Sequence, residues 1–491
     1  MHTPNWVTDA IFYQIFPDRF AKSEHVQKNG LHFEPWNSAP TTYGFKGGNL
    51  RGVTEHLDYL KDLGVNAIYF TPVFASASNH RYHTYDYYNV DPILGGNEAL
   101  RELLDKAHKK NMRVVLDGVF NHASRGLWQF HHVLETGAAS PYKDWFHFDP
   151  DRLNGKRHWG AYPSPHEQHQ IQQEGSLKAI GYQGWWNLPA LPKFNTSTPA
   201  VREFIFEIAE HWIKFGIDGW RLDVPGEIDD DSFWQEFRRR VRAINPEAYL
   251  VGEIWHDARR WLQGDQFDAS MNYLVTAACL SFFTGKHLDL HETLKAGGYQ
   301  GHIQPIDAND SILGMYNPDV TRVQLNLLDS HDTPRFLTCA GSDPASLQLA
   351  LTFIFTYPGA PCIFYGDEIG LDGRHDPECR KSFPWDQAKW NHQLRDFVKE
   401  LIALRKTHKS LRWGKYQRLY SAEGVYAFKR TSDDETLFIA LNAAEEPRSF
   451  EVAAADPGPG RKRILFGQAE IQKERDVMRL TIPPRSGIVF K

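Results

Sequence analysis

Apolar runs alternate with amphipathic stretches along most of the chain. Residues 10–17 form a short apolar run, and residues 51–63 follow with Val53, Leu57, Leu60 and Leu63 at helical spacing. The pairing recurs as an apolar run at 67–74 and a helix at 98–110. The third run, RVVLDGVF at 113–120, is rich in β-branched residues and predicts a strand of a buried parallel sheet. The rhythm stops between residues 121 and 193, where His, Gly, Pro, Gln and Trp are frequent. A structureless loop of that length is out of place inside a compact domain, so this stretch predicts an inserted subdomain.

The alternation resumes with a helix at 199–215, opened by a proline suited to a first turn. A strand at 217–223, a helix at 232–244, a strand at 248–254 and a short helix near Trp261 follow. A weaker strand at 268–273 leads into a stretch of ambiguous pattern ending near Pro318. A strand at 322–330, a helix at 344–355, a strand at 361–367 and a helix at 391–408 complete the series. Eight such units predict a closed barrel rather than an open sheet. From Trp413 the period shortens to two, with strands at 424–430, 436–442, 461–466 and 479–483 and a turn at 457–460. The expected fold class is α/β: a (β/α)8 TIM barrel over 1–120 and 194–408, an inserted subdomain at 121–193 after strand three, and a C-terminal antiparallel β-sandwich at 409–491.

Composition narrows the function. The 491 residues carry 55 basic and 61 acidic side chains, net −6, which argues against nucleic acid as a partner. No apolar run approaches the roughly 20 residues that span a bilayer, and the N-terminus has no signal-peptide pattern. Four cysteines without a CxxC indicate neither a disulfide framework nor a cysteine zinc site, and a cytoplasmic location is expected. Aromatic residues make up 13%, with 15 Trp. They serve first as core, yet flat rings also suit the C–H faces of sugars.

In barrels of this kind the active site lies at the C-terminal strand ends. Strand three ends in Asp117, followed by Asn121 and His122; strand four ends in Arg221-Leu222-Asp223; strand five ends in Glu253; strand seven runs into Ser330-His331-Asp332. Arg221 and Asp223 are two apart and share a strand face. Paired carboxylates serve glycoside cleavage, one protonating the leaving oxygen while the other attacks or activates water. The competing use is metal-assisted hydrolysis. Strand one lacks an HxH, and the His pairs His131-His132 and His166 with His169 lie in the insert, so no metal or other cofactor is expected.

DGVFNH (117–122), GWRLD (219–223), EIW (253–255) and LLDSHD (327–332) resemble the conserved regions of the α-amylase family, glycoside hydrolase family 13, in the family's order. LPKFN (191–195), HRYHTYDYYNVDP (80–92), YGDEIG (365–370) and CRKSFPW (379–385) resemble its neopullulanase, cyclomaltodextrinase and maltogenic amylase branch. The resemblance implies Asp223 as nucleophile, Glu253 as general acid/base and Asp332 as the third carboxylate, holding sugar hydroxyls. It implies that Arg221 orients Asp223 and keeps it ionised, with Asp117 fixing Arg221 from behind. His122 and His331 would hydrogen-bond the sugar, and Tyr82 would stack beneath it. Trp255 is expected to line an acceptor subsite and Glu227 to contact the acceptor side. Trp185 and Trp186 are expected either at a subsite or in the subdomain core.

Departures from the branch are also visible. Its usual N-terminal domain of about 120 residues is expected to be absent, since the first strand is expected near residue 10. Ala21 to His25 and Gly47-Gly48-Asn49 stand where many relatives place acidic calcium ligands, so no calcium is expected. The implied activity is retaining hydrolysis of α-1,4 bonds in cyclomaltodextrins, maltooligosaccharides and pullulan, with transglycosylation. Two alternatives stay open: a debranching or α-1,6-acting glucosidase of the same family, and an inactive glucan-binding homologue. The insert, with Trp145, Trp159, Trp185 and Trp186, is expected to narrow the cleft toward short or cyclic glucans. The oligomeric state stays open; a homodimer would use an interface without an N-terminal domain.

Overall fold

Eight short parallel strands line the centre: β1 (Phe12–Ile15), β2 (Ala67–Phe70), β3 (Arg113–Gly118), β4 (Gly219–Leu222), β5 (Tyr249–Gly252), β6 (Ala269–Ser270), β7 (Leu325–Asn326) and β8 (Ala360–Phe364). They pair in the order β6-β5-β4-β3-β2-β1-β8-β7, and a parallel bridge between Met271 and Leu325 joins the ends into a barrel. The computed structural model describes residues 2–26, 30–155, 160–289, 308–453, 463–474 and 477–491.

Backbone pairing is thin at the β6–β7 seam. Gln324 Oε1 accepts from the Ser270 N–H at 2.7 Å, and Asn272 Nδ2 donates to Asn326 Oδ1 at 2.9 Å, all of them buried. Side chains here satisfy groups that a longer ladder would pair. Both strands are therefore shorter than the apolar runs at 268–273 and 322–330 suggest.

The barrel helices include Gly96–Lys109, Pro199–Phe215, Asp231–Ile244, Pro344–Thr356 and His392–Thr407. The helix expected at 51–63 is two, Leu50–Glu55 and Leu57–Leu63. His56 breaks it: its Nδ1 lies 2.7 Å from the Gly52 carbonyl, and its N–H turns to Val53 O at 2.9 Å. Turns replace the helix expected near Trp261, where the Asp257 carboxylate accepts the Arg259 N–H at 2.9 Å, an alternative to helical bonding. The ambiguous stretch opens with a helix, Tyr273–Phe283, buried except at Ser281 and Phe282. A helix apolar all round gives no amphipathic signal. Residues 290–307 lie outside the described residues.

The insert carries helices Trp128–Thr136, Pro165–Glu174 and Ser176–Ile180. Phe130, Phe146 and Tyr182 form its core. Trp145 packs on Tyr142 and Phe204, each at 5.1 Å, which corrects its expected place in the cleft. Trp159 lies outside the described residues.

Among its described residues the C-terminal region holds eight strands: β9 (Lys415–Ala422), β10 (Val425–Thr431), β11 (Thr436–Asn442), β12 (Arg448–Ala453), β13 (Ile464–Gly467), β14 (Glu470–Glu474), β15 (Val477–Ile482) and β16 (Ser486–Phe490). They form sheets ordered β9-β10-β11-β16-β13 and β12-β15-β14. The turn expected at 457–460 lies outside the described residues. Two buried guanidiniums tie this region to the barrel. Arg430 on β10 donates to Thr356 O at 2.6 Å and Gly414 O at 3.1 Å, and Arg405 donates to Phe355 O at 2.8 Å and Leu411 O at 3.1 Å. Residues 355 and 356 end the helix Pro344–Thr356, whose carbonyl end carries partial negative charge.

Candidate active site

Strand register assembles the site. β3 and β4 set Asp117 beside Arg221, and β4 and β5 set Leu222 beside Gly252, so Asp223 and Glu253 leave adjacent strand ends together. Arg221 is fully buried at the centre. Its Nη1 donates to both Asp117 oxygens and to Asp223 Oδ1, each at 2.9 Å, and its Nη2 lies 2.9 Å from Glu253 Oε2. One cation thus faces three carboxyl groups, all buried. Burial pushes the Asp117 carboxyl up to about 6 despite Arg221, and pushes Asp223 well above its ordinary range in the same way. Arg221, expected to keep Asp223 ionised, does lower its carboxyl, while desolvation and the neighbouring carboxylates raise it. Asp223 Oδ2 is buried with no hydrogen-bond partner, the one carboxylate oxygen of the three left open for chemistry.

Glu253 is gripped at both oxygens. Oε2 accepts from the Val224 N–H at 3.1 Å and Oε1 from Trp255 Nε1 at 3.1 Å. Val224 has φ 35°, a left-handed conformation that a β-branched residue adopts only under strain. Trp255 lies flat on Tyr273, with centroids 3.6 Å apart and planes within 4°. Beside the acceptor-subsite place expected for it, Trp255 thus also holds the Glu253 carboxyl. Glu227 lies on the loop after β4, where Lys193 Nζ donates to its carbonyl at 3.0 Å and to Oε2 at 3.3 Å, tying that loop to the end of the insert.

A second cluster gathers after β7. Gln14 Nε2 lies 2.9 Å from His331 Nδ1, His331 Nε2 lies 2.6 Å from the Tyr82 hydroxyl, and that hydroxyl donates to Asp117 Oδ2 at 2.8 Å. Read in sequence, these bonds assign the proton to His331 Nε2. Burial holds His331 well below its ordinary value, so it is neutral at pH 7. Tyr82 lies parallel to the His331 ring at 5.4 Å. Asp332, 34% exposed in its side chain, pairs with Arg380 Nη2 at 3.2 Å and lies 3.0 Å from His331 Nε2. Gln14, Val224, Tyr273 and Arg380 were not singled out from sequence. Two carried a signal: Gln14 as the one amide in the apolar run IFYQIF, and Arg380 by its place in CRKSFPW.

His122 is buried with its Nε2 unpartnered, and burial lowers it to about 3. Its ring begins a stack, His122 on Trp185 at 4.8 Å and Trp185 on Trp186 at 4.4 Å, that ends at the surface with Trp186 74% exposed. Trp186 borders a cavity of about 860 Å³, with Thr42, Tyr43, His80, Arg125 and Asp376 in its wall. Trp186 therefore belongs to a cleft wall and not to the subdomain core. Asn49 Oδ1 caps the Gly52 N–H at 2.8 Å and its Nδ2 donates toward Ser23 O at 3.4 Å. No group of three or more metal-binding side chains occurs among the described residues.

A barrel whose rim joins carboxyl groups from β4 and β5 through one buried arginine defines a class, the glycoside hydrolases. Residues 14–418 match the α-amylase catalytic domain and 414–490 the α-amylase C-terminal domain. The chain is 40% identical to a cyclomaltodextrinase of Geobacillus thermopakistaniensis, over 99% of this chain and 77% of that protein. It is 39% identical to neopullulanase 2 of Thermoactinomyces vulgaris, over 99% and 78%. The native crystal structure of a debranching enzyme from Nostoc punctiforme superposes with a TM-score of 0.88 at 46% identity, over 100% and 99%. The chain belongs to the α-amylase family. No helix among the described residues is long and apolar enough to cross a membrane.

Proposed function

We propose that the protein is a retaining α-glucan hydrolase that cleaves α-1,4 bonds of cyclomaltodextrins, maltooligosaccharides and pullulan. The carrying observation is Asp223 Oδ2, unpartnered beside a Glu253 held at both oxygens. In the first step Oδ2 attacks the anomeric carbon while Glu253 gives its proton to the leaving glycosidic oxygen. In the second, Glu253 takes a proton from water, whose oxygen displaces Asp223; two inversions retain the α configuration. A sugar hydroxyl in place of water gives transglycosylation. Asp332, His122 and His331 hydrogen-bond the sugar at the attacked carbon, and Arg221 fixes Asp223 with Asp117 behind it. Tyr82 forms the floor, Trp185 and Trp186 wall the cleft, and Glu227 meets the acceptor. Four free, buried cysteines accord with work in the reducing cytoplasm.

The 46% identity to the Nostoc debranching enzyme favours a second reading, α-1,6 cleavage. Reducing-sugar assays on β-cyclodextrin, pullulan and maltotriose test both. Panose from pullulan marks α-1,4 cleavage, maltotriose marks α-1,6 cleavage, and no product from any of them excludes hydrolysis of these glucans.

A further inference from the structure

Residues 31–48 contain no helix or strand, yet they build part of the cavity wall beside the candidate site. At their centre sits Lys46, fully buried. Its Nζ is enclosed by five oxygens: the carbonyls of Pro35 at 3.0 Å, Ser38 at 2.9 Å and Ala39 at 3.3 Å, Ser38 Oγ at 2.5 Å, and Glu34 Oε2 at 3.1 Å. Carbonyls, a hydroxyl and a carboxylate are the donors a hard cation gathers. Here they gather around an ammonium supplied by the chain. The cage is reinforced from outside: the Thr41 hydroxyl donates to Glu34 Oε1, and Glu34 N–H to Phe45 O at 2.8 Å.

The loop so held is linked toward the site by an amide and by the Arg81 guanidinium, which lies 5.4 Å from the Phe45 ring centre. Asn79 Nδ2 donates to Thr42 O at 3.0 Å and Gly44 O at 2.8 Å. Asn79 shares its loop with His80, whose Nδ1 accepts the Tyr82 N–H at 3.2 Å. Thr42 and the 89% exposed Tyr43 face the cavity. Its wall comes from the insert after β3, the loops after β1 and β2, and Asp376 after β8, with no residue from the β5 end that bears Glu253. The leaving group must lie on the Glu253 side, so the cavity lies on the side of the sugar that is attacked.

We propose that Lys46 is a tethered cation that positions the 34–46 loop as a wall for the glucan units beyond the attacked sugar, and so sets the affinity for long substrates. The inference rests on the α-glucan reading of the site. Lys46→Ala is expected to raise KM for maltoheptaose at least about tenfold with kcat within about twofold, while maltotriose kinetics stay within about twofold. Propylammonium, the size of the deleted arm, is expected to restore KM, and Lys46→Met, whose side chain fills the cage, to resist rescue. Equal losses on both substrates, or no rescue by propylammonium, overturn the proposal. Should Lys46→Ala fail to fold, Tyr43→Ala at the exposed wall decides, an unchanged KM for maltoheptaose counting against it. A wild type inactive on both sugars sinks the functional reading instead; limited proteolysis of residues 31–45, faster in Lys46→Ala and slowed by propylammonium, then judges Lys46 alone.

Discussion

Asp223 holds Arg221 with one oxygen and leaves the other bare, at a point where three carboxyl groups share one cation. Such crowding is costly to the fold and useful to the chemistry. Asp223→Ala and Glu253→Gln are therefore expected to lower kcat about a thousandfold or more, ~4 kcal/mol of transition-state stabilisation, while leaving the melting temperature unchanged or higher. Activity above about a tenth of wild type in either variant contradicts the assigned roles. The raised Asp223 carboxyl also fixes a sign. Attack needs the ionised form, so the acid limb of kcat/KM should lie above the ordinary carboxylate value of about 4, and a limb at or below it removes Asp223 as the limiting group. A carboxyl raised in the folded state adds stability that is complete below its unfolded value and lost as pH climbs through its folded value. Asp223→Asn should accordingly gain on the wild type in melting temperature as pH rises above the ordinary carboxylate value of about 4, read by scanning calorimetry.

The barrel elements show where sequence speaks and where it is silent. Strands β3, β4 and β5 read clearly because short apolar runs end in polar residues, and their register alone carries Asp117, Arg221, Asp223 and Glu253 to one rim. β6 and β7 read as longer than they are, because hydropathy cannot tell a ladder bond from the side-chain bond of Gln324. The helix Tyr273–Phe283 was ambiguous for want of a polar face, and with it went the destination of Trp255, which depends on Tyr273 beneath it. β9 escaped notice as a half-exposed strand at the sheet edge without apolar alternation. The seam yields a prediction at this scale. Gln324→Ala orphans the buried Ser270 N–H and should cost about 1–3 kcal/mol in urea unfolding; a loss under about 0.5 kcal/mol would mean that water or backbone shifts satisfy the group.

Across the whole molecule, the C-terminal sheets reach into the barrel through Arg430, which binds the last carbonyl of a barrel helix while Arg405 binds the one before it. Truncation after residue 413 is expected to yield insoluble or partly unfolded protein, and Arg430→Met to lower the melting temperature by several degrees while leaving KM unchanged. A soluble, cooperatively melting truncated barrel contradicts this. The two family matches overlap at residues 414–418, as though the chain could be cut and rejoined there. The guanidinium of Arg430 makes such exchange conditional. A chimaera that borrows the C-terminal sheets of a relative has to bring an arginine at this position, or else inherit a barrel whose helix ends facing them are left uncapped. The boundary that sequence comparison draws is thus a boundary of ancestry, not of independent parts.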